Sequence, residues 1–163
     1  MISLTVESQR VKEILKRLAD RLTPAGMRPA MKEIGEELLA STTARFPLGV
    51  APDGSRWPTL SPDTVLARIK RGRTGTRPLI DTGQLANTIR YQIIDGGAGV
   101  AIGTNRRYGR SNSANASVHQ FGTNRAGRNR NITIPARPFL GLSASDEDTV
   151  LDILSSALGD DAT

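Results

Sequence analysis

The sequence contains no cysteine, which excludes disulfides and thiolate metal sites. Its single histidine, His119, gives a histidine-based metal centre within one chain no basis. Aromatic residues make up only 4% of the chain, so its core must come mainly from Leu, Ile, Val, Met and Ala. That composition suits a modest core with long loops, or a subunit that completes its packing against neighbours. No apolar run approaches the roughly 20 residues that a membrane span needs. The opening MISLTVESQRVKEI turns charged at once, without the apolar stretch of a secretory signal. These absences read as a protein made in the cytoplasm with no membrane partner.

Catalytic patterns are missing too. No P-loop, dinucleotide fingerprint, HExxH or GxSxG occurs, so neither a cofactor nor a small-molecule substrate is expected. Any Ser-His-Asp arrangement would have to use His119, with Ser117 and either Asp95 or Asp81. Nothing signals the strained turn and oxyanion hole such a nucleophile needs. His119 is therefore expected to be structural, hydrogen-bonding its own loop. The carboxylates fall on helical patterns, Glu33, Glu36 and Glu37 and then Asp146 to Asp148, and only Asp95 lies between residues 82 and 145. A two-metal nuclease site has no ligands to draw on, and the acids read as solvated helix faces and caps. The expectation is a protein that is not an enzyme.

What the chain does have is segregated charge. Residues 68–137 hold 13 Arg or Lys against 2 acids, whereas the remainder holds 9 basic and 14 acidic residues. The middle is strongly cationic and the segment after Ser145 is acidic. With 163 residues, one domain is expected, of a size that buries roughly 70% of its unfolded surface.

Periodicity gives an α+β order. Ile2, Leu4 and Val6 alternate as an opening strand. Val11, Ile14, Leu15, Leu18 and Leu22 form a first helical stripe, ended near Pro24. Met27, Met31, Ile34 and Leu38 form a second, over Gly26 to about Arg45, stopping before Pro47. A loop follows from Phe46 to Trp57, and Trp57 reads as a local core anchor. Ser61 and Pro62 start a helix that runs to about Lys70. The basic stretch 71–78 has no apolar anchor and reads as flexible in isolation. Asp81 is positioned to cap a short helix at Gln84. Ile89, Tyr91 and Ile93, then Val100 and Ile102, flank Gly96-Gly97 as a hairpin. A polar loop leads to Val118–Gly122, and a second basic loop, 123–131, leads to a short strand at Ile132 and Ile134. Pro135 and Pro138 impose an extended path. Ser145 is expected to cap a last helix whose apolar face is Val150, Leu151, Leu154 and Leu158.

Three clusters, read in order, resemble the phage virion morphogenesis (tail completion) family of tailed bacteriophages. The first is Arg45-Phe46-Pro47 with Asp53-Gly54, Trp57 and Leu60 to Thr64. The second is Leu79 to Leu85. The third is Val118-His119-Gln120-Phe121-Gly122 followed by Ile134 to Leu142. The likeness spans about residues 5–158, and departs from the simplest pattern in the long polar stretch 106–117. The resemblance implies a non-catalytic α+β protein of the virion neck or tail, assembled in the host cytoplasm. It implies a ring of identical subunits, a hexamer, that completes the tail or joins it to the head beside neighbouring neck or tail proteins.

Two roles remain open for Pro135, Arg137, Pro138, Phe139 and Leu140. They form either a prestiffened, aromatic-tipped arm for subunit contacts, with Arg137 pairing a neighbour's carboxylate, or a lead-in that buries Phe139 in the chain's own core. Phe121 and Phe139 both read as loop residues, with Phe121 structural and Gly122 at a turn. Arg71, Arg73, Arg77, Arg106, Arg107, Arg110, Arg125, Arg128 and Arg130 are the candidates for touching an acidic partner or the backbone of double-stranded DNA in a channel. The other reading of this charge is a free-standing basic nucleic-acid-binding protein, although aromatic platforms for single strands are almost absent.

Overall fold

The computed structural model describes residues 9–104 and 115–159. The expected opening strand and Arg106, Arg107 and Arg110 lie outside these residues. The fold is α+β, with six α-helices and two separate two-stranded antiparallel sheets among the described residues.

Helix α1 (Gln9–Arg21) leads into the central helix α2 (Pro24–Leu48). Thr23 caps α2, its Oγ1 accepting from Gly26 N at 3.1 Å while Pro24 occupies the first turn, where a missing N–H costs nothing. The helix does not stop before Pro47 as the sequence suggests. It continues to Leu48 and ends on Gly49, which is left-handed (φ 69°) and donates to Arg45 O and Phe46 O. One N–H lost in a last turn is a small cost against burying Phe46, whose full burial contributes about 1.5–3 kcal/mol.

Two hydrophobic cores lie along α2. In one, Ala30, Met31, Ile34 and Leu38 meet Ile153, with Ile93, Val100, Val150 and Leu154 packed around them. The hairpin β1 (Arg90–Ile94) and β2 (Gly99–Gly103) supplies one wall, registered from Arg90 opposite Gly103 to Ile94 opposite Gly99. Helix α6 (Ala144–Gly159) supplies the other. Gly35 is what lets the hairpin close on α2. A Cβ there would stand 2.4 Å from the Tyr91 ring. The last helix is turned differently from the expectation. Ile153 is buried and Leu151 is 61% exposed, so the inward face is Val150, Ile153, Leu154 and Ala157. Its cap is Ser143, not Ser145. Asp146 N donates to Ser143 Oγ at 3.2 Å and Ser143 N donates to Asp146 Oδ2 at 2.8 Å, a reciprocal capping box.

The second core gathers at the C-terminal end of α2. Phe46, Trp57 and Phe139 meet there with Ala51, Leu85, Ile89 and Ala116. The Phe46 ring lies 5.5 Å from both Trp57 and Phe139, within the range of favourable tilted and edge contacts. Three of the chain's few aromatics are thus concentrated in one place. Helix α3 (Pro62–Lys70) is capped by Ser61 as expected. Helix α4 (Gln84–Asn87) is not capped by Asp81, because Gly83 holds the cap position in a left-handed conformation and Asp81 is drawn to arginines instead. Val118–Phe121 is not a loop but the end of α5 (Asn115–Phe121), and Gly122 follows it in a left-handed conformation. The second basic loop is largely a hairpin, β3 (Thr123–Ala126) with β4 (Ile132–Ile134).

Candidate functional site

The segment Pro135–Leu142 is the best place to see how this chain manages with so few aromatics. Prolines keep it out of any sheet, so its backbone polar groups need other partners. Side chains supply them. Gln120 Oε1 accepts from Phe139 N and Leu140 N, both at 3.0 Å, and Gln120 Nε2 donates to Leu140 O at 2.9 Å. Trp57 Nε1 donates to Pro138 O at 2.7 Å. Arg45 Nη1 donates to Phe139 O at 3.1 Å and Gly141 O at 2.7 Å. Arg137 N donates to His119 O at 2.7 Å. Gly122 (φ 72°) packs so tightly that a Cβ would stand 2.8 Å from Ala136 N. The His119–Gly122 and Ile134–Leu142 stretches therefore form a single joint.

Three buried arginines run the same scheme. Arg45, Arg68 and Arg137 are each buried. Arg45 holds Phe139 and Gly141 and also pairs with buried Asp146. Arg68 Nη1 donates to Gly75 O, Arg77 O and Ile80 O at 2.9–3.0 Å, with Asp81 at 3.5 Å from its Nε. The stretch 71–78 lacks an apolar anchor, but Arg68 anchors it through its carbonyls. Arg137 donates through Nε to Pro58 O at 2.8 Å and through Nη2 to Thr59 O at 2.9 Å.

This placement corrects several expectations. It also decides between the two roles left open for Phe139, whose ring is fully buried and completes the second core, so that it offers no aromatic tip to a partner. Pro135 is exposed, whereas Pro138 and Leu140 are half-buried against that core. Arg137 is spent on carbonyls of its own chain, not on a neighbour's carboxylate. Phe121, expected to be structural, is 78% exposed, since α5 turns it away from the joint. Trp57 is buried as a core anchor. For His119, the backbone carbonyl makes the loop contact, while the ring's Nδ1 is buried without a partner. Burial and then the nearby Arg137 guanidinium hold its pKa below the usual histidine value.

A cleft of about 830 Å³ opens beside this joint. One side is α3 and the following loop, with Leu60, Pro62, Arg71, Arg73 and Leu79. The other is β4 with Pro135, while Arg68, His119 and Arg137 lie between. Asp81 is the sole acid in its lining, and it pairs with Arg73. Arg137 has no carboxylate within ion-pair distance among the described residues, and desolvation followed by Arg68 lowers its pKa from the ordinary guanidinium value. The cleft is thus cationic, with walls that mix apolar side chains with hydroxyl and amide groups. Arg71 and Arg77 are exposed on the 71–78 loop, and Arg125, Arg128 and Arg130 are exposed on the β3–β4 hairpin, so these five stay open to a partner. Among the described residues no three His, Asp or Glu side chains gather as a metal site.

Sequence reasoning passed over Arg45, Arg68, Gln120 and Asp146. Arg45 did carry a signal: Met31, Ile34, Leu38, Thr42 and Arg45 share one helical stripe, and all are buried. A charge on an apolar stripe demands a buried partner. The model of the phage virion morphogenesis family matches residues 6–159. The chain belongs to this family. It is 32% identical to the Mu-like prophage FluMu G protein 2 of Haemophilus influenzae over 153 residues, covering 93% of this chain and 92% of that one. It is 29% identical to the tail completion protein S of Escherichia phage P2 over 154 residues, covering 93% and 97%. No solved structure matches the chain.

Proposed function

We propose that this virion morphogenesis protein is a structural subunit that completes the tail end or joins tail to head at the neck. It works as a ring of identical copies around the DNA channel, beside other neck or tail proteins, after assembly in the host cytoplasm. It performs no catalytic step. The similarity to a tail completion protein along almost the whole of both chains supports the tail role.

The observation that carries the subunit reading is the surface. Ile14 and Leu15 on α1, Leu22 just after it, Leu66 and Ile69 on α3, Phe121, Ile132 and Leu151 are all more than half exposed. Scattered single apolar residues are ordinary, but a stripe such as that on α1 marks a contact surface. The exposed arginines of the 71–78 loop and the β3–β4 hairpin provide backbone-only contact with DNA if they face the channel.

The test is a phage in which this gene carries a nonsense mutation. Lysates should contain full heads and tails that are unjoined, or tails of faulty length, by electron microscopy. Complementation should restore joined particles with this chain at the neck or tail end. Normal joined particles without the chain would end the proposal. Salt-sensitive DNA binding by the isolated monomer, with no association with particles, would support the free-standing nucleic-acid-binding reading instead.

A further inference from the structure

Two surfaces of this molecule are complementary, and neither is satisfied within one copy. The first is the cationic cleft. Arg71 stands exposed at its mouth, and Ile132 on its β4 side is 53% exposed. Ile132, Thr133 and Ile134 all line it. Successive strand residues point to opposite faces, so three in a row meet the cleft only where the strand presents its edge. No third strand flanks β4 among the described residues.

The second surface is the outward face of α6. Asp148, Leu151 and Asp152 are exposed, and their spacing of three and four places them together on one side of the helix. Residues 144–159 include four acids and no base. Only Asp146 is used internally, paired with Arg45, and no ion pair engages Asp148 or Asp152 among the described residues. Leu151, 61% exposed, sits between the two carboxylates. An exposed leucine beside two acids complements a groove that offers exposed Ile132 and the exposed Arg71, whose Nε donates to Ala67 O while the rest of its guanidinium has no carboxylate partner among the described residues.

We propose that the outward face of α6 of one copy docks into the cationic cleft of the next, with Asp148 and Asp152 facing Arg71 and Leu151 covering Ile132. This rests on the self-assembly reading above. The two patches belong to different parts of the molecule, α6 to the first core and the cleft to the edge of the second, so the contact is head-to-tail. Such contacts close into rings when the rotation between copies allows. DNA is the poorer occupant: the Arg68 and Arg137 guanidiniums are buried and already hold carbonyls, and Arg73 is paired with Asp81, so a phosphate chain would find one exposed arginine in the cleft.

The test is charge reversal read by sedimentation at low salt, with thermal melts showing that each variant folds. Arg73 pairs with Asp81 and is left alone. Arg71→Glu and the double variant Asp148→Lys/Asp152→Lys should each weaken self-association by about tenfold or more, because like charges then face each other. Mixed in equal amounts, the two proteins should assemble again, each Lys-bearing helix entering a Glu-bearing cleft. Copies carrying all three substitutions should also regain assembly. Rings that form undiminished in both variants overturn this interface while leaving the ring reading intact. A wild-type chain that stays monomeric at every concentration overturns both. Assembly that appears only on adding duplex DNA assigns the cleft to phosphate and overturns the helix as its occupant.

Discussion

Arg45 and Asp146 show what a charged residue does in a core this poor in aromatics. Arg45 reaches across from α2 to hold the carbonyls of Phe139 and Gly141, and its guanidinium is compensated by Asp146 at the start of α6. One side chain thereby couples both cores. Burial raises the Asp146 carboxyl's pKa, but hydrogen bonds from Ser41 and Ser143 together with the Arg45 charge outweigh it and hold the group below the ordinary carboxylate value. Removing one partner of a buried pair leaves the other charge uncompensated, so Arg45→Ala should cost about 3–5 kcal/mol in urea unfolding. A loss below about 1 kcal/mol would show that the pair is not a coupling point. His119 gives a second prediction at this scale. Its folded pKa lies below its unfolded value, so the unfolded chain takes up the proton first as pH falls. Stability from neutral His119 is therefore full above the unfolded pKa of about 6.5 and declines as pH drops from there toward the folded pKa. His119→Gln should flatten that slope, and because no other histidine exists, an unchanged slope between about pH 6.5 and 5 would refute the assignment.

Among the elements, those whose signals were local could be read in the sequence. The Ser61-Pro62 start of α3, the hairpin around Gly96-Gly97 and the α2 stripe needed only neighbouring residues, and the structure has each. The errors came where distant contacts decide. Proline before the end of α2 was outweighed by Phe46 entering a core built partly from residue 139. Asp81 abandoned its local capping position for Arg68 and Arg73, which lie on the preceding helix and loop. The two phenylalanines of the signature exchanged roles because α5 aims Phe121 outward while Gln120 and Arg45 draw the backbone of Phe139 inward. The cleft was legible only as a surplus of arginines; which arginines line it, and which are spent on carbonyls, depends on the joint between α5 and the proline segment. The hairpin seated on α2 offers a test at this scale. Gly35→Ala favours the isolated helix by about 1 kcal/mol, yet its Cβ would overlap the Tyr91 ring. Overpacking of this kind costs about 1–3 kcal/mol, so a net loss of stability is expected in a thermal melt, relieved by Tyr91→Leu in the same chain. A melt unchanged or raised by Gly35→Ala alone would mean the hairpin shifts freely on α2.

For the whole molecule, on the assembly reading proposed above, the division between folding and assembly runs close to Thr23. Among the described residues neither core contains a residue before Met27, and Ile14, Leu15 and Leu18 on α1 and Leu22 just after it are between 38% and 59% exposed. A helix of 13 residues is marginal alone in water, and on that assembly reading, an apolar stripe that the described residues leave uncovered is a contact surface for a neighbour. Deleting residues 1–22 keeps Thr23 as the cap of α2 and, among the described residues, removes no buried side chain of either core. The truncated protein should therefore unfold cooperatively with a stability within about 2 kcal/mol of the full chain. It should nonetheless fail to restore joined particles to a phage lacking this gene. If α1 were instead part of the folding unit, the truncated chain would lose its cooperative transition, and its failure in the particle would follow trivially from that. If α1 were surplus to assembly, the truncated chain would fold and restore particles alike. Only a chain that folds but does not assemble fits the proposal that α1 lies outside the folding unit and meets another subunit.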